Sequence, residues 1–217
     1  MTPTNTTNPA GQTKSRAMPD FSVESSLGGL VAGIDEAGRG PWAGPVVAAA
    51  VILEPSKLPA ELIAGLDDSK KLGRPVRERL YGQIKESTAH GIGQASVEEI
   101  DEINILQATM LAMRRAFQNL PEPAQFAIVD GNRDPGLGVP TRCLIGGDAS
   151  SLSIAAASIL AKVTRDRIME DLARRFPGYG WEKNAGYGTK QHQQGLAKHG
   201  VTPHHRRSYA PIAKILK

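Results

Sequence analysis

The sequence predicts a single α/β domain followed by a small helical extension at the C-terminus. Short apolar segments rich in β-branched residues alternate with longer segments whose apolar residues recur at helical spacing. The length of 217 residues suits one sizeable domain, and an apolar fraction of 40% is ordinary for a globular protein. We divide the chain into a disordered tail over 1–28, an α/β domain over 29–175, and a helical extension over 176–217 that packs on it.

The N-terminal segment MTPTNTTNPAGQTKSRAMPD is rich in Thr, Asn and Pro, which is typical of disorder. It lacks the apolar stretch of a secretory signal. The longest uninterrupted apolar run, over residues 46–53, is too short to span a bilayer. The single cysteine, Cys143, excludes an internal disulfide and any zinc site that needs several thiolates. We therefore expect a cytoplasmic protein that does not associate with membranes.

The first half of the domain begins with two predicted strands joined by a tight loop, between residues 30 and 53. Val51 and Ile52 favour a strand, and the alanines before them suit close packing under another layer. A helix is predicted around residues 75–87, with Pro75 tolerated near its first turn. A second helix is predicted within residues 95–120, where apolar residues recur at helical spacing.

The second half begins with a short buried strand, FAIVD, which ends at Asp130 before a Gly-Asn turn. The strongest helical pattern is SLSIAAASILAKVTRDRIMEDLARRF, which Pro177 and Gly178 close. A shorter helix is predicted near TKQHQQGLAKHG, and a basic segment, PHHRRSYAPIAKILK, ends the chain. The predicted C-terminal extension therefore begins at Phe176.

Acidic residues occupy the ends of the predicted strands and the start of the strongest helix. Asp35 and Glu36 end the first strand, Asp130 ends the FAIVD strand, and Asp148 lies just before the Ala-rich helix. Carboxylates that converge on one point repel one another and raise each other's pKa unless cations lie among them. Their hard oxygen atoms suit Mg²⁺ or Mn²⁺, and a pair of such ions suits in-line attack on a phosphodiester.

Each acid also has an ordinary structural interpretation. An Asp at a strand end is often a turn former, and Asp148 could cap the helix that follows it. The first acidic pair is harder to explain in this way because a Gly-rich loop follows it directly. Gly38, Arg39 and Gly40 allow the main chain to approach a ligand closely, including a sugar hydroxyl that distinguishes RNA from DNA. The alternative for this loop is a plain tight turn.

Several other residues are candidates for contact with a nucleic acid. Lys70 and Lys71 in LDDSKKL could hold phosphates, with Ser69 adding a hydroxyl, although a solvated helix start would explain them equally well. Lys162 and Arg165 share one face of the strongest helix, which is either a phosphate contact or a solvent-facing stripe. Tyr187 lies between two glycines, which pack poorly around a core aromatic, so we expect its ring to be exposed to a sugar or base.

The histidines and the last basic residues have less specific interpretations. The cluster HHRR at residues 204–207 could follow a phosphate backbone. His192 and His199 are seven positions apart, too far for a helical zinc pair, and we expect both at the surface. Trp42 and Cys143 are assigned no chemistry. A net charge of +4 favours a polyanionic partner only mildly.

Taken in order, these motifs resemble the ribonuclease HII family, the bacterial type 2 ribonucleases H. The resemblance begins with GIDEAGRGPWAGPVVAAAVIL and continues through LDDSKKL, VDGN, SIAAASILAKVTRDRIM, GYG and HHRRSY. It covers roughly residues 31–211. The resemblance implies a ribonuclease H-like fold, which is a mixed β-sheet flanked by helices, with a helical C-terminal segment.

The resemblance also implies an endonuclease that uses Mn²⁺ or Mg²⁺. Its substrates would be the RNA strand of RNA–DNA hybrids and duplex DNA with single embedded ribonucleotides, which it would nick on the 5′ side during ribonucleotide excision repair. Two-metal-ion catalysis would leave 3′-hydroxyl and 5′-phosphate ends. Matched by motif, the catalytic and metal-binding carboxylates are Asp35, Glu36, Asp130 and Asp148. We expect the enzyme to be a monomer.

The family resemblance assigns the remaining site residues as well. Gly38, Arg39 and Gly40 match the loop that senses the ribose 2′-hydroxyl, and Tyr187 matches the tyrosine that stacks beneath the sugar at the RNA–DNA junction. One departure is Gly147, where the family often has lysine, and it removes a positive charge beside the fourth acid. Two alternatives remain open: a nucleic-acid-binding protein without catalysis, and a DNA-only nuclease or strand-transfer enzyme of related fold.

Overall fold

A five-stranded mixed sheet forms the centre of the protein in the computed structural model, which describes residues 18–217. The strands are β1 (Val31–Ala37), β2 (Val46–Ile52), β3 (Ala89–Ala95), β4 (Phe126–Asp130) and β5 (Thr141–Leu144). Their order across the sheet is β3-β2-β1-β4-β5. β2 is antiparallel to both β1 and β3, whereas β1, β4 and β5 run parallel.

Helices cover both faces of this sheet, so the predicted α/β class is confirmed. They are α1 (Ser22–Leu27), α2 (Ala60–Gly65), α3 (Arg74–Ser87), α4 (Val97–Gln118), α5 (Leu152–Arg175), α6 (Trp181–Asn184), α7 (Lys190–His199) and α8 (Ala210–Ala213). α5 packs on one face against β1, β2 and α3, and α4 packs on the other face against β1, β2 and β3. Short 3-10 helices lie at Pro55–Lys57 and Gly147–Ala149.

Close packing of α5 on β1 depends on Gly33. A Cβ atom at Gly33 would lie 2.3 Å from the carbonyl carbon of Ser153, so only glycine fits there. The N-cap of α5 is Ser151, whose Oγ accepts a hydrogen bond from the Ile154 amide at 3.1 Å. The alternative role of Asp148 as the cap of this helix is therefore wrong. The first turns of α5 lie directly over the strand that carries Asp35.

On the opposite face, α4 begins with a capping box formed by Ser96 and Glu99. Ser96 Oγ accepts from the Glu99 amide at 3.2 Å, and Glu99 Oε2 accepts from the Ser96 amide at 2.8 Å. The helix is interrupted at Asn104, which has a φ of 66°. Asn104 Oδ1 accepts hydrogen bonds from the amides of Leu106 and Gln107, and in this way it caps the helical segment that follows the interruption. The predicted helix within residues 95–120 is therefore confirmed, with a kink.

The prediction of a disordered tail over 1–28 is wrong for the residues of α1; residues 1–17 lie outside the described residues. The tertiary reason is Glu24, whose Oε1 accepts hydrogen bonds from Ser151 Oγ at 2.7 Å and from the Ser153 amide at 3.0 Å. A buried carboxylate at the N-terminus of α5 is favoured by the helix dipole. This contact holds α1 against the domain.

The helices after Phe176 share an apolar cluster with α5 and with the loop between β1 and β2. Its buried members are Ala43, Met169, Leu172, Tyr179, Trp181, Leu196 and Ile212. The boundary of an extension at residue 176 stays a prediction, because this cluster joins the two segments rather than separating them. No helix between residues 18 and 217 is long and apolar enough to cross a membrane.

Candidate active site

A cleft of about 320 Å³ opens where β1 runs into the Gly-rich loop. Nine of the ten site residues predicted from the sequence line it, and Asp148 lies beside it. The lining residues are Asp35, Glu36, Ala37, Gly38, Arg39, Gly40, Ser69, Lys70, Asp130, Ser158, Lys162, Arg165 and Tyr187. Segments that are far apart in the sequence therefore meet at one place.

The sheet register explains why the acids converge. β1 and β4 are parallel neighbours in which Ile34 is paired with Val129. The next residues, Asp35 and Asp130, therefore lie side by side at the same edge of the sheet. The segment after β5 returns to this edge, where the Gly147 amide donates to Asp130 Oδ1 at 2.7 Å. This hydrogen bond places the following residue, Asp148, next to the strand ends.

Asp35 is almost fully buried at the base of the cleft, with 3% of its surface exposed. Its Oδ1 accepts a hydrogen bond from the Glu36 amide at 2.7 Å, and the nearby Ser158 hydroxyl acts to lower its pKa. Burial raises the Asp35 pKa well above its usual range, and the negative charges of Glu36 and Asp130 raise it further. The fold thus holds a carboxylate in a place that disfavours its charge.

Glu36 lies closer to the loop and has one charged partner. Burial raises its pKa, while Arg39, whose Nη1 lies 3.3 Å from Glu36 Oε1, opposes the increase. The charge of Asp130 adds to the increase. The second oxygen, Oε2, is buried and has no hydrogen-bond partner among the described residues. An unsatisfied buried carboxylate oxygen favours a site for a cation.

Asp148 shares the cleft margin with Lys70. Lys70 Nζ lies 3.3 Å from Asp148 Oδ2 and 4.0 Å from Asp68 Oδ1. Burial raises the Asp148 pKa; Lys70 opposes this change, and the charges of Asp68 and Asp130 reinforce it. For Lys70, burial by itself would lower the pKa, but the attraction of Asp148, Asp35 and Asp68 outweighs it and raises the pKa. The acids therefore attract positive charge to this point.

The Gly-rich loop is held from beneath by Arg165, which is buried under it. Gly38 has a φ of 99°, and a Cβ atom there would lie 2.0 Å from Arg165 Nε, so only glycine fits. The Arg165 guanidinium donates to the carbonyl oxygens of Pro45 at 3.0 Å, Ala185 at 2.9 Å and Ala43 at 3.1 Å. Burial and the nearby Arg206 lower the Arg165 pKa to about 10, so the side chain stays charged at neutral pH.

Arg206 holds the same loop from the C-terminal side. Its guanidinium donates to the carbonyl oxygens of Gly38 at 2.5 Å and Arg39 at 2.9 Å, and its Nε donates to Gly44 at 3.0 Å. Tyr209 Oη donates to the Arg39 carbonyl at 2.5 Å. Burial lowers the Arg206 pKa, while Tyr209 opposes that change. The carbonyl groups of the loop are thus turned towards the protein interior.

Tyr187 borders the cleft next to this loop. A Cβ atom at Gly40 would lie 3.3 Å from Tyr187 Cε1, so the ring packs directly beside the loop. The side of the ring that is not covered faces solvent, and the residue is 49% exposed. The expectation of an exposed tyrosine is confirmed. The structure therefore brings an accessible aromatic ring, the glycine loop and the carboxylates together.

Comparison with known proteins identifies the family. Residues 32–212 match the family model described as Ribonuclease HII. The chain is 60% identical over 199 residues to the Ribonuclease HII of Paramagnetospirillum magneticum, covering 92% of this chain and 99% of that protein. The chain belongs to the ribonuclease HII family. A second relative, the Ribonuclease HII of Jannaschia sp., is 58% identical and covers 91% of this chain and 98% of that protein.

Among solved structures, the ribonuclease H2 of Pyrococcus horikoshii OT3 is similar to this chain, with a TM-score of 0.71 and 28% identity. The match covers 86% of this chain and 96% of that one. The sheet order and flanking helices described above are therefore those of a ribonuclease H-like fold. As a ribonuclease HII, this protein is a hydrolytic nuclease.

Within residues 18–217 of this ribonuclease HII, no three Asp, Glu, His or Cys side chains are arranged tightly enough to form a metal site. The cleft nevertheless fits divalent cations in its chemistry. Its acids offer hard oxygen ligands, one buried oxygen lacks a partner, and burial and mutual repulsion raise the pKa of Asp35, Glu36 and Asp148. A cation among them would relieve the repulsion.

The sequence-based expectations for four residues of this ribonuclease HII are wrong. Arg165 was expected on a solvent-facing stripe or at a phosphate, and Arg206 along a phosphate backbone, but both are buried beneath the loop. His205, from the same basic cluster, is also fully buried, and so is His192, which was expected at the surface. Their hydrogen-bond partners lie on distant segments, and local sequence patterns do not reveal such partners.

Ser158 is a site residue that the sequence analysis missed in this ribonuclease HII. Its hydroxyl lies 2.7 Å from the Ser69 hydroxyl and acts to lower the Asp35 pKa, against the effect of burial. Ser69 lines the cleft but is only 3% exposed, and its hydroxyl is paired with that of Ser158, so its contact with a phosphate stays a prediction. The available signal was the helical spacing of Ser151 and Ser158, which places the second serine on the same face two turns after the cap.

Proposed function

We propose that this ribonuclease HII hydrolyses the RNA strand of RNA–DNA hybrids and nicks duplex DNA on the 5′ side of single embedded ribonucleotides. The products would carry 3′-hydroxyl and 5′-phosphate ends, as ribonucleotide excision repair requires. The observation that carries this proposal is the juxtaposition of the buried acids with the Gly38–Gly40 loop and Tyr187 in one cleft. Groups suited to phosphodiester hydrolysis lie beside a surface suited to a ribose.

In this proposal Asp35, Glu36, Asp130 and Asp148 hold Mn²⁺ or Mg²⁺. When bound, paired ions of this kind activate water and stabilise the leaving oxygen during in-line attack. The protein contributes carboxylates that are fixed before metal arrives. Asp35 is held by the Glu36 amide, and Asp130 by the Gly147 amide. Such preorganisation lowers the reorganisation needed in the transition state.

The substrate is positioned by the loop, Lys70 and Tyr187. Arg206 engages the carbonyl oxygens of Gly38 and Arg39, which keeps this main chain in one conformation against the ribose. The Lys70 side chain is 75% exposed, so its ammonium group is accessible to a backbone phosphate of the duplex. The exposed ring of Tyr187 stacks against the sugar at the junction between RNA and DNA. A 2′-hydroxyl at the loop then distinguishes ribose from deoxyribose.

One chain builds the whole cleft, which supports a monomeric enzyme. The test uses a DNA duplex bearing one ribonucleotide, an all-DNA duplex of the same sequence, and an RNA–DNA hybrid, each with Mg²⁺ or Mn²⁺. We expect cleavage of the hybrid and a nick on the 5′ side of the ribonucleotide, with the all-DNA duplex intact. No cleavage with either metal would support a binding protein, and cleavage of the all-DNA duplex would support a DNA nuclease.

A further inference from the structure

A buried network of aromatic and polar side chains lies behind Tyr187, outside the cleft. His192 and His205 are both fully buried, and their Nε2 atoms lie 3.0 Å apart. Trp181 Nε1 donates to His192 Nε2 at 3.1 Å. At the two ends of the network, His192 Nδ1 lies 3.0 Å from the Tyr187 carbonyl oxygen, and His205 Nδ1 accepts from the Thr202 amide at 2.9 Å. The network thus ends on a residue of the cleft.

The proton positions in this network follow from its obligate donors. A main-chain amide only donates, so His205 Nδ1 is an acceptor and the proton of a neutral His205 is on Nε2. That proton points to His192 Nε2, which also accepts from the Trp181 indole N–H. The proton of His192 must therefore be on Nδ1, where it is donated to the Tyr187 carbonyl. One pair of neutral tautomers accounts for these contacts, with the single lone pair of His192 Nε2 shared between the Trp181 and His205 N–H groups.

An additional proton does not fit on either ring. It would face the Thr202 amide N–H at His205 Nδ1, or the Trp181 N–H at His192 Nε2. Burial lowers the His192 pKa, and burial together with the repulsion between the two rings when both are protonated lowers the His205 pKa to about 4. Both rings are therefore neutral at physiological pH, and their hydrogen bonds keep one direction.

The main chain of Tyr187 is held from both sides. Its amide donates to the Asn184 carbonyl at 2.8 Å, and its carbonyl accepts from the Thr189 amide at 2.8 Å as well as from His192. The amide of Thr189 is on the adjoining turn and moves with it, whereas His192 ties the carbonyl to the buried aromatic cluster. The ring itself, half exposed beside Gly40, has no hydrogen bond among the described residues that would fix it. Its place is therefore set through the main chain.

We propose that His192, oriented by His205 and Trp181, is a positioning residue that fixes the main chain of Tyr187 and so sets the enzyme's preference for single ribonucleotides in DNA. This inference rests on the proposed function, in which Tyr187 contacts the sugar at the junction. A single ribonucleotide offers one 2′-hydroxyl, so its cleavage depends on correct placement of the ring. A continuous hybrid offers many registers and tolerates a displaced ring better.

Two substitutions of His192 separate positioning from mere packing. In His192→Asn, the side-chain amide reaches the position of Nδ1 and can still donate to the Tyr187 carbonyl. In His192→Gln, the longer side chain reaches the position of Nε2 and can still form hydrogen bonds with Trp181 and His205. The Tyr187 carbonyl, however, loses the hydrogen bond that His192 Nδ1 donates to it. Tyr187→Ala provides the reference for complete loss of the ring.

We expect His192→Gln to lower the ratio of single-ribonucleotide to hybrid cleavage, measured as kcat/KM, by about fivefold to tenfold, the value of one hydrogen bond. His192→Asn should keep the ratio within about twofold of the original protein. The proposal is overturned if both variants change the two substrates equally, or if Asn lowers the ratio as much as Gln. Circular dichroism establishes that each variant is folded before it is assayed.

A measurement on the unaltered protein tests the network without catalysis. Side-chain ¹⁵N chemical shifts at pH 7 should show a proton on Nδ1 of His192 and on Nε2 of His205. A charged ring, or a proton on Nε2 of His192, would refute the proposal even if the enzyme is active. If the protein fails to nick single ribonucleotides at all, the proposed function fails, while these shifts still decide whether the network exists.

Discussion

At the scale of the residue, Asp35 shows what the candidate site demands of the fold. A carboxylate that is 3% exposed and adjacent to two other acids is unfavourable for stability, because desolvation and repulsion act in the same direction. The sequence predicted its location correctly, since an acid at a strand end before a glycine loop is a local pattern. It did not predict how deeply the side chain would be buried, which depends on α5.

Asp35→Asn is therefore expected to abolish cleavage and to raise the melting temperature at pH 7. Removal of a buried, repelled charge should stabilise the fold by about 1 kcal/mol, which is about 2–4 °C for a chain of this size. Calorimetry and the nicking assay measure the two effects. Asp171→Asn is the control, because Asp171 is 61% exposed and its side chain should alter neither quantity. Near-normal cleavage by Asp35→Asn would remove this residue from the mechanism.

At the scale of the element, the loop between β1 and β2 is held by two buried arginines that lie far apart in the sequence. Arg165 comes from α5 and Arg206 from the segment before α8, and both donate to main-chain carbonyl oxygens. A carbonyl accepts a hydrogen bond from a guanidinium more strongly than from a neutral donor. The loop is thereby fixed without a carboxylate that would compete with the acids of the cleft.

Gly38→Ala tests how tightly this loop is held. The new Cβ would overlap Arg165 Nε and impose a positive φ on alanine, so we expect a loss of about 1–3 kcal/mol in stability. We also expect cleavage to fall more than tenfold, since about 1.4 kcal/mol in the transition state is a factor of ten. Urea denaturation and the nicking assay report the two quantities.

The matched control is Gly82→Ala, in α3, where a Cβ meets nothing within 4 Å. This change should stabilise the helix by about 0.5–1 kcal/mol and leave cleavage unchanged. Equal effects of the two alanines would show that the loop tolerates a side chain at position 38. Such tolerance would contradict the packing of Arg165 against Gly38.

The strand β3, with the sequence AHGIGQA, illustrates why some elements were not predicted. Gly91 and Gly93 give it a low strand propensity. In the structure, a Cβ at Gly91 would lie 2.2 Å from the Ala116 carbonyl oxygen of α4, so the glycines allow this helix to approach the sheet. The reason for these residues therefore lies in an element that follows in the chain, and no local pattern contains it.

At the scale of the whole molecule, the site makes stability depend on pH in two opposite ways. The pKa values of Asp35, Glu36 and Asp148 are raised in the folded protein. Above about pH 4, these carboxyl groups therefore bind more protons in the folded protein than in the unfolded chain. Their contribution to stability therefore falls as pH rises. His192 and His205 have lowered pKa values, so their contribution is present above about pH 6.5 and is lost as pH falls towards 4.

Divalent cations should counteract the first of these effects. We expect Mn²⁺ or Mg²⁺ to raise the melting temperature more at pH 8 than at pH 5.5, because the acids are fully charged and most repelled at the higher pH, and because protons compete with the ions at the lower pH. Differential scanning fluorimetry measures the shift. In Asp130→Asn the shift should shrink at both pH values. An equal shift at both pH values in the unaltered protein would exclude the acids as its source.

The sequence by itself determined the α/β class, the long helices, the strands that end in acids and the family, because each depends on spacing or motifs within short stretches. Nine of the residues that it marked as candidates line one cleft in the structure. Only the tertiary structure decided that the side chains of Arg165, Arg206, His192 and His205 are buried. It also decided that residues 22–27 form a helix. A polar side chain is buried only where distant segments supply its hydrogen-bond partners, and those partners become neighbours only when the chain is folded.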